Sequence, residues 1–224
     1  MGNKVECPIC ESKFRKFLPY GRLKSRSNAL CPKCLSLERH RLIWLYLKEE
    51  TDFFTKERKM LHIAPEICYI DRFEALKNLD YITADIESPL AKLKMDIHDI
   101  PLDDESVDVI FCNHVLEHVD DDKQALSEIK RVLRPGGWAI LQVPFFYPLP
   151  KITYEDKSIT EPSEREKAFG QDDHVRMYGE DYGDRLASVG LKVHEEEYVM
   201  NIAPERVETH SLPKKEIIYK VEKI

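Results

Sequence analysis

The chain has no stretch approaching the roughly 18 consecutive apolar residues of a membrane-spanning helix, so no helical span is expected in its 224 residues. Its N-terminus carries no apolar signal segment, which argues against secretion and for a cytoplasmic protein. Internal repeats and low-complexity tracts are missing. So are the GxSxG, HExxH and P-loop patterns, and with them any support for a serine hydrolase, a zinc protease or an NTPase. Cysteine is scarce, at six residues. In a chain that is not secreted, these read as metal ligands or plain thiols before disulfides. What is present suits a globular protein, with 42% hydrophobic and 33% charged residues. The length fits one α/β domain with about forty residues to spare for an appendage. It leaves the oligomeric state open.

The net charge of −7 hides an asymmetry. Residues 1–41 carry ten Lys/Arg against three acids, while the rest carries 24 against 38. A basic head on an acidic body suggests an anionic partner for the head, or docking of the head on the body.

Four cysteines define the head, as Cys7-Pro-Ile-Cys10 and Cys31-Pro-Lys-Cys34, with twenty residues between the pairs. Four thiolates complete a tetrahedral zinc shell with no open position, so this zinc would be structural. A head this small needs a metal because apolar burial alone cannot hold it. A single iron in the same ligand set, or four unrelated thiols, are the other readings. The expected organisation is a zinc-ribbon head over residues 1–36, a connecting helix over 37–58 and an α/β domain over 59–224. Ser36 is placed to cap that helix, and Leu42 to Leu47 is apolar nearly all round. Arg39, His40 and Arg41 read as a solvated helix face, or as contacts to a ligand phosphate.

Beyond Lys59 strands and helices alternate, which implies a parallel, doubly wound sheet. Strands are expected at Met60–Ala64, Tyr81–Ala84, Leu93–Met95, Val107–Cys112, Trp138–Phe146, Leu191–Met200 and Glu216–Val221. Helices are expected at Ile67–Leu76, Asp121–Leu133 and Asp181–Ser188. Arg134-Pro-Gly-Gly reads as a helix-ending turn. Residues 147–178 break the rhythm and read as a mobile, lid-like insertion. From Leu93 to Val119 the chain offers an acid-bearing loop, a buried strand and a polar strand end. That order suits a nucleoside-binding crevice at the carboxyl edge of a parallel sheet.

The stretch Asp96–Ile110, then Asn113–Val119 and the turn Leu133–Gly137, resembles the middle of the class I S-adenosylmethionine-dependent methyltransferases, in particular the large type 11 group. The likeness runs over roughly residues 59–200. It implies a Rossmann-like sheet of seven strands with the last antiparallel, S-adenosylmethionine as cofactor, and direct methyl transfer to an oxygen or nitrogen nucleophile. Asp85, ending the second strand, then suits the ribose hydroxyls. Asp96 suits the adenine amine, with Ile97 packing on the ring. Asp99 and Asp103 read as turn acids. Asn113 and His114 end the fourth strand beside the transferred methyl, where His114 could take a proton from the acceptor. His118 reads as a structural histidine. In the lid, His174, Arg176 and Tyr178 are substrate-side candidates or members of a salt-bridge cluster.

One departure concerns the family's glycine-rich loop after the first strand. Here it reads Leu61-His-Ile-Ala-Pro-Glu-Ile-Cys68, with Ala64, Glu66 and Cys68 in place of its glycines. Glycine allows close backbone approach to a ligand. Either Glu66 takes an acidic role near the cofactor's amino group and the loop has its own shape, or cofactor binding is lost. Methyltransferase-like sequences with a CPxC head also carry such an Ala-Pro-Glu loop, which favours the first reading.

Three functions are compatible with this pattern. A small-molecule or sugar-like acceptor under the lid is favoured. RNA methylation would use the basic zinc ribbon through Arg15, Lys16 and Arg22, although Phe14, Phe17 and Tyr20 are its only candidates for base stacking. A non-catalytic interaction module on a degenerate methyltransferase fold is the third.

Overall fold

The computed structural model describes residues 2–21 and 25–224. The sequence's candidate contact Arg22 lies outside the described residues. The chain forms two compact units. The first comprises Met1–Arg58, Pro65–Asp80 and Glu196–Ile218; the second comprises Lys59–Ala64, Tyr81–Glu195 and Tyr219–Ile224.

In the first unit, β1 (Val5–Glu6) pairs antiparallel with β2 (Lys13–Phe14), and β3 (Leu18–Tyr20) with β4 (Arg26–Leu30). Helix α1 (Glu38–Glu50) follows. Its cap is Leu37 rather than the expected Ser36, and the Leu37 N–H donates to His40 Nδ1 at 3.1 Å. The expected solvated face of α1 is largely internal, because His40 and Arg41 are buried. The strand β5 (Arg58–Ile63) then leads into α2 (Ile67–Glu74). Within this unit α1 and α2 share a ring stack, with Trp44, Tyr69 and Phe73 lying within 13° of parallel.

The second unit is built on a seven-stranded sheet. Its further strands are β6 (Leu79–Asp85), β7 (Leu93–Lys94), β8 (Val107–Asn113) and β9 (Leu133–Gln142). Helix α3 (Asp122–Val132) joins β8 to β9, with the Asp121 side chain capping its first turn. A small hairpin pairs β10 (Tyr154–Glu155) with β11 (Arg176–Met177) around α4 (Pro162–Phe169). Helix α5 (Tyr182–Ala187), β12 (Lys192–Glu196), α6 (Pro204–His210) and β13 (Ile218–Glu222) complete the chain, α6 belonging to the first unit. The sheet order is β12-β13-β9-β8-β5-β6-β7. The β5–β8, β8–β9 and β6–β7 pairs are parallel, and β13 runs antiparallel to β9. Six of the seven β8 residues are buried, as a central strand covered on both faces requires.

Three expectations shift. Arg134-Pro-Gly-Gly is no separate turn, since β9 already begins at Leu133. Val107 pairs with Leu133 but Val109 with Trp138, so Pro135 and Gly136 sit in a bulge where a missing N–H and a φ of +76° are tolerated. The expected strand Leu191–Met200 stops at Glu196, and Tyr198–Asn201 forms a 3-10 turn. Tyr198 and Val199 in that turn are both buried. Residues 147–178, read as a loop-like insertion, contain the helix α4 and the β10–β11 hairpin. Helix α6 carries no strong apolar stripe and was not expected.

Candidate functional site

In the head, two turns repeat one design. Glu11 and Leu35, each one residue past a CxxC pair, are left-handed at φ 55° and 62°. Each returns its N–H to the first cysteine carbonyl of its turn, at 2.8 Å for Glu11 to Cys7 and 3.0 Å for Leu35 to Cys31. The Cys7 N–H reaches Ser12 O and the Cys31 N–H reaches Ser36 O in the same fashion. The four sulfurs lie within 4.8 Å of one another, with Cys7–Cys34 at 3.5 Å and Cys10–Cys31 at 3.7 Å. Zinc with four thiolates at about 2.3 Å needs sulfur separations near ~3.8 Å, so the cluster fits the ion. Ser36 Oγ, freed from capping, sits 3.3 Å from both Cys7 and Cys34 Sγ.

Arg41 is fully buried in the same unit. It donates to the carbonyls of Ala29 (3.0 Å), Ser36 (2.8 Å), His210 (2.7 Å) and Ser211 (2.7 Å). Its guanidinium lies 4.4 Å over the Phe17 ring. Glu66, at the start of α2, lies 3.9 Å from His40 Nε2. Cys68 is buried, with its sulfur 3.4 Å from His40 Nδ1.

In the second unit the strand order reverses between β5 and β8, and the crevice of such a sheet lies beyond the carboxyl ends of those strands. Ala64, Asp85, Asn113 and His114 all fall at strand carboxyl ends. Ala64 is left-handed at φ 50°, and its N–H donates to Ala84 O at 2.9 Å. The backbone therefore keeps a conformation that glycine takes freely, at a cost of about 1–2 kcal/mol for alanine. His114 is left-handed too, at φ 55°. Non-glycine residues so held mark positions that the surroundings over-determine. Asp85 Oδ1 accepts from the N–H groups of Glu87 (2.8 Å) and Ser88 (2.7 Å). Asp96 Oδ1 accepts from the His98 N–H at 2.9 Å and faces His98 Nδ1 at 2.7 Å, which holds this carboxyl below its ordinary range. The Asp96 side chain remains 53% exposed, while Ile97 and Asn113 are buried.

Beyond β8 the polar residues converge. His114 Nδ1 lies 3.4 Å and His118 Nε2 3.8 Å from Glu117 Oε1. His174 joins them: one ligand atom from each of Glu117, His118 and His174 lies within a 4.8 Å span. The tie is backbone as well, since the Val175 N–H donates to Glu117 O at 2.9 Å. Burial pushes His174 below its ordinary pKa, so it is neutral near pH 7. The other two lid candidates sit apart from this group. Arg176 is buried, donating to Leu116 O (2.5 Å), Val119 O (2.6 Å) and Asp120 O (3.2 Å). The Tyr178 hydroxyl donates to Asp122 Oδ2 at 2.8 Å. Arg185 binds Asp122 as well, and Glu155 completes the network. These groups tie the insertion to the segment 116–122 and to α5. Glu117 is the member that sequence reasoning underrated; its signal was its place three residues after His114, before His118.

Residues 60–141 match the family model described as a methyltransferase domain. The seven-stranded sheet with one antiparallel strand agrees with the fold that the resemblance of residues 96–119 implies. A stretch of 72 residues is 40% identical to a probable S-adenosylmethionine-dependent methyltransferase of Mycolicibacterium smegmatis, covering 30% of this chain and 28% of that protein. The aligned stretches span only 19% and 28% of the two curated relatives that the chain matches. Among solved structures, a methyltransferase of Listeria monocytogenes superposes with a TM-score of 0.51 at 15% identity, over 84% of this chain and 99% of that one. The [4+2]-cyclase SpnF superposes at 0.54 with 12% identity, over 84% and 82%. The fold alone therefore does not dictate methyl transfer. No helix among the described residues is long and apolar enough to cross a membrane.

Proposed function

We propose that the protein is an S-adenosylmethionine-dependent methyltransferase acting on a small-molecule acceptor, with a structural zinc in its head. The observation that carries this is the convergence of His114, Glu117, His118 and His174 beyond the central strand of a methyltransferase-like domain. The cofactor supplies a methyl group on a cationic sulfur. Asp85 holds the ribose hydroxyls and Asp96 the adenine amine, each with Oδ1 already fixed by its own turn. The left-handed backbone at Ala64 allows the close approach usually left to glycine. Glu66, two residues further along, is the acid for the cofactor's amino group. His114 Nε2 is buried without a hydrogen-bond partner among the described residues. Its lone pair takes the proton that the acceptor's hydroxyl or amine loses as it gains the methyl group.

A small acceptor is favoured over RNA because several of the head's cations are buried or paired, while Lys4, Arg15, Lys16 and Lys33 stay exposed. Arg41 is buried, Arg26 pairs with Glu38 at 2.9 Å, and Lys13 with Glu6 at 3.3 Å. Arg15 and Lys16 are the exposed cations that remain for a phosphate among the basic residues argued for RNA and described here.

Calorimetric titration with S-adenosylmethionine and S-adenosylhomocysteine tests the proposal. Micromolar binding, weakened at least tenfold by Asp85→Ala and by Glu66→Ala, is expected. No binding by folded, zinc-loaded protein overturns it and favours the interaction module.

A further inference from the structure

The polar group beyond β8 has the make-up of a metal centre that is separate from the four cysteines. Its three residues offer one carboxylate and two imidazoles, the donor set of many transition-metal sites with open positions. Glu117 is only 1% exposed, and its Oε2 has no hydrogen-bond partner among the described residues. A buried carboxylate oxygen without a partner costs several kcal/mol unless a cation meets it.

The two imidazoles are set the same way. His118 Nδ1 lies 3.2 Å from Asp173 O, and His174 Nδ1 lies 3.2 Å from Phe169 O. A carbonyl only accepts, so each Nδ1 carries the proton and each Nε2 keeps its lone pair. Donation of one ring N–H to a backbone carbonyl is how metal-binding histidines are oriented. The rings meet edge to face, with centroids 4.9 Å apart. Gln171 Nε2 now donates to His174 Nε2 at 2.9 Å, and it must swing aside for an ion to bind.

We infer that Glu117, His118 and His174 bind one divalent transition-metal ion, and that the methyl acceptor is a hydroxyl compound whose oxygen reaches that ion. The second clause rests on the methyltransferase reading above. Three protein ligands leave coordination positions open. A hydroxyl held at such a position loses its proton more readily, passing it to His114. The oxygen then bonds to the methyl carbon as the carbon–sulfur bond breaks, and that electron pair stays on sulfur as a neutral thioether.

The test uses the full chain carrying one zinc in its head. Titration with Zn²⁺, checked by elemental analysis, is expected to add one further equivalent per chain. Glu117→Gln, which preserves shape, and His118→Ala should each weaken that second equivalent at least 100-fold, with thermal melts showing that both variants fold. Saturation at one equivalent, or variants that titrate like the parent, would overturn the site. For the acceptor clause, Co²⁺ in the second site should change its visible spectrum when acetohydroxamate, a simple oxygen chelator, is added. An unchanged spectrum would mean a closed ion and would sink that clause. A second zinc without cofactor binding would leave the metal site standing and remove the methyltransferase reading. Cofactor binding with one zinc would do the reverse.

Discussion

Each unit is organised around a buried arginine, but the two are balanced differently. Arg41 in the first unit donates to four backbone carbonyls. Burial lowers its pKa, and the charges that oppose this are those of the Cys7 thiol first, then Glu38 and the Cys31 and Cys34 thiols. Arg176 in the second unit donates to three carbonyls and also faces the carboxylates of Glu155 (3.3 Å) and Asp122 (3.8 Å). In the first unit the counter-charge thus comes from the sulfur cluster and Glu38, and a zinc held by four thiolates would carry a net negative charge. The second unit carries its own carboxylates and needs no metal to keep an arginine buried. The difference teaches that the proposed zinc would be more than a clamp on two turns: its thiolates would also supply counter-charge to the helix behind them.

Stripping the metal breaks this comparison most directly. Cys31→Ser, or a strong chelator, should cost the first unit on the order of 10 kcal/mol. Hydrogen exchange should then rise over residues 2–21 and at α1 while β8 and β9 stay protected. Equal loss of protection in β8 would show that the two units do not differ in this way.

Arg41→Met is next. It leaves four carbonyl acceptors and a charged cluster without their partner, and should destabilise the protein by about 4 kcal/mol. Denaturant melts of the zinc-loaded protein measure it. A loss below about 1 kcal/mol would mean that water replaces the guanidinium easily.

The smallest effect is expected at Asp122→Asn, about 2 kcal/mol at pH 7. Burial alone would raise the pKa of Asp122, but the hydrogen bond from Arg185 and the charge of Arg176 hold it below its ordinary value. A carboxylate with a depressed folded pKa adds stability above its unfolded value of about 3.9. It loses that stability as pH falls through the folded value. Melting temperatures of parent and variant should therefore differ at pH 7 and converge below about pH 4. A difference unchanged down to pH 2.5 would remove Asp122 as the counter-charge.

Much of the architecture was legible in local pattern. The strand Val107–Asn113 is a continuous apolar run, and a strand covered on both faces must read that way. Four cysteines in two CxxC turns meet because each turn is short and stiff. Less was legible where burial is polar. Arg41 and His40 looked like a solvated face because nothing in α1 itself announces the carbonyls of His210 and Ser211, which come from a distant helix. The β9 bulge was read as a turn because proline and glycine signal both.

By itself, then, the sequence determined the alternation of strands and helices, the meeting of four cysteines and the placing of Asp85 at a strand end. Those features depend on residue type and short spacing, which the backbone periodicities translate directly into faces and turns. Only the tertiary structure decided which polar side chains are buried and who answers them. Glu117 and His118 wait at the end of one strand, and His174 reaches them from an insertion far along the chain. That meeting depends on long-range packing, and no spacing within either segment contains it.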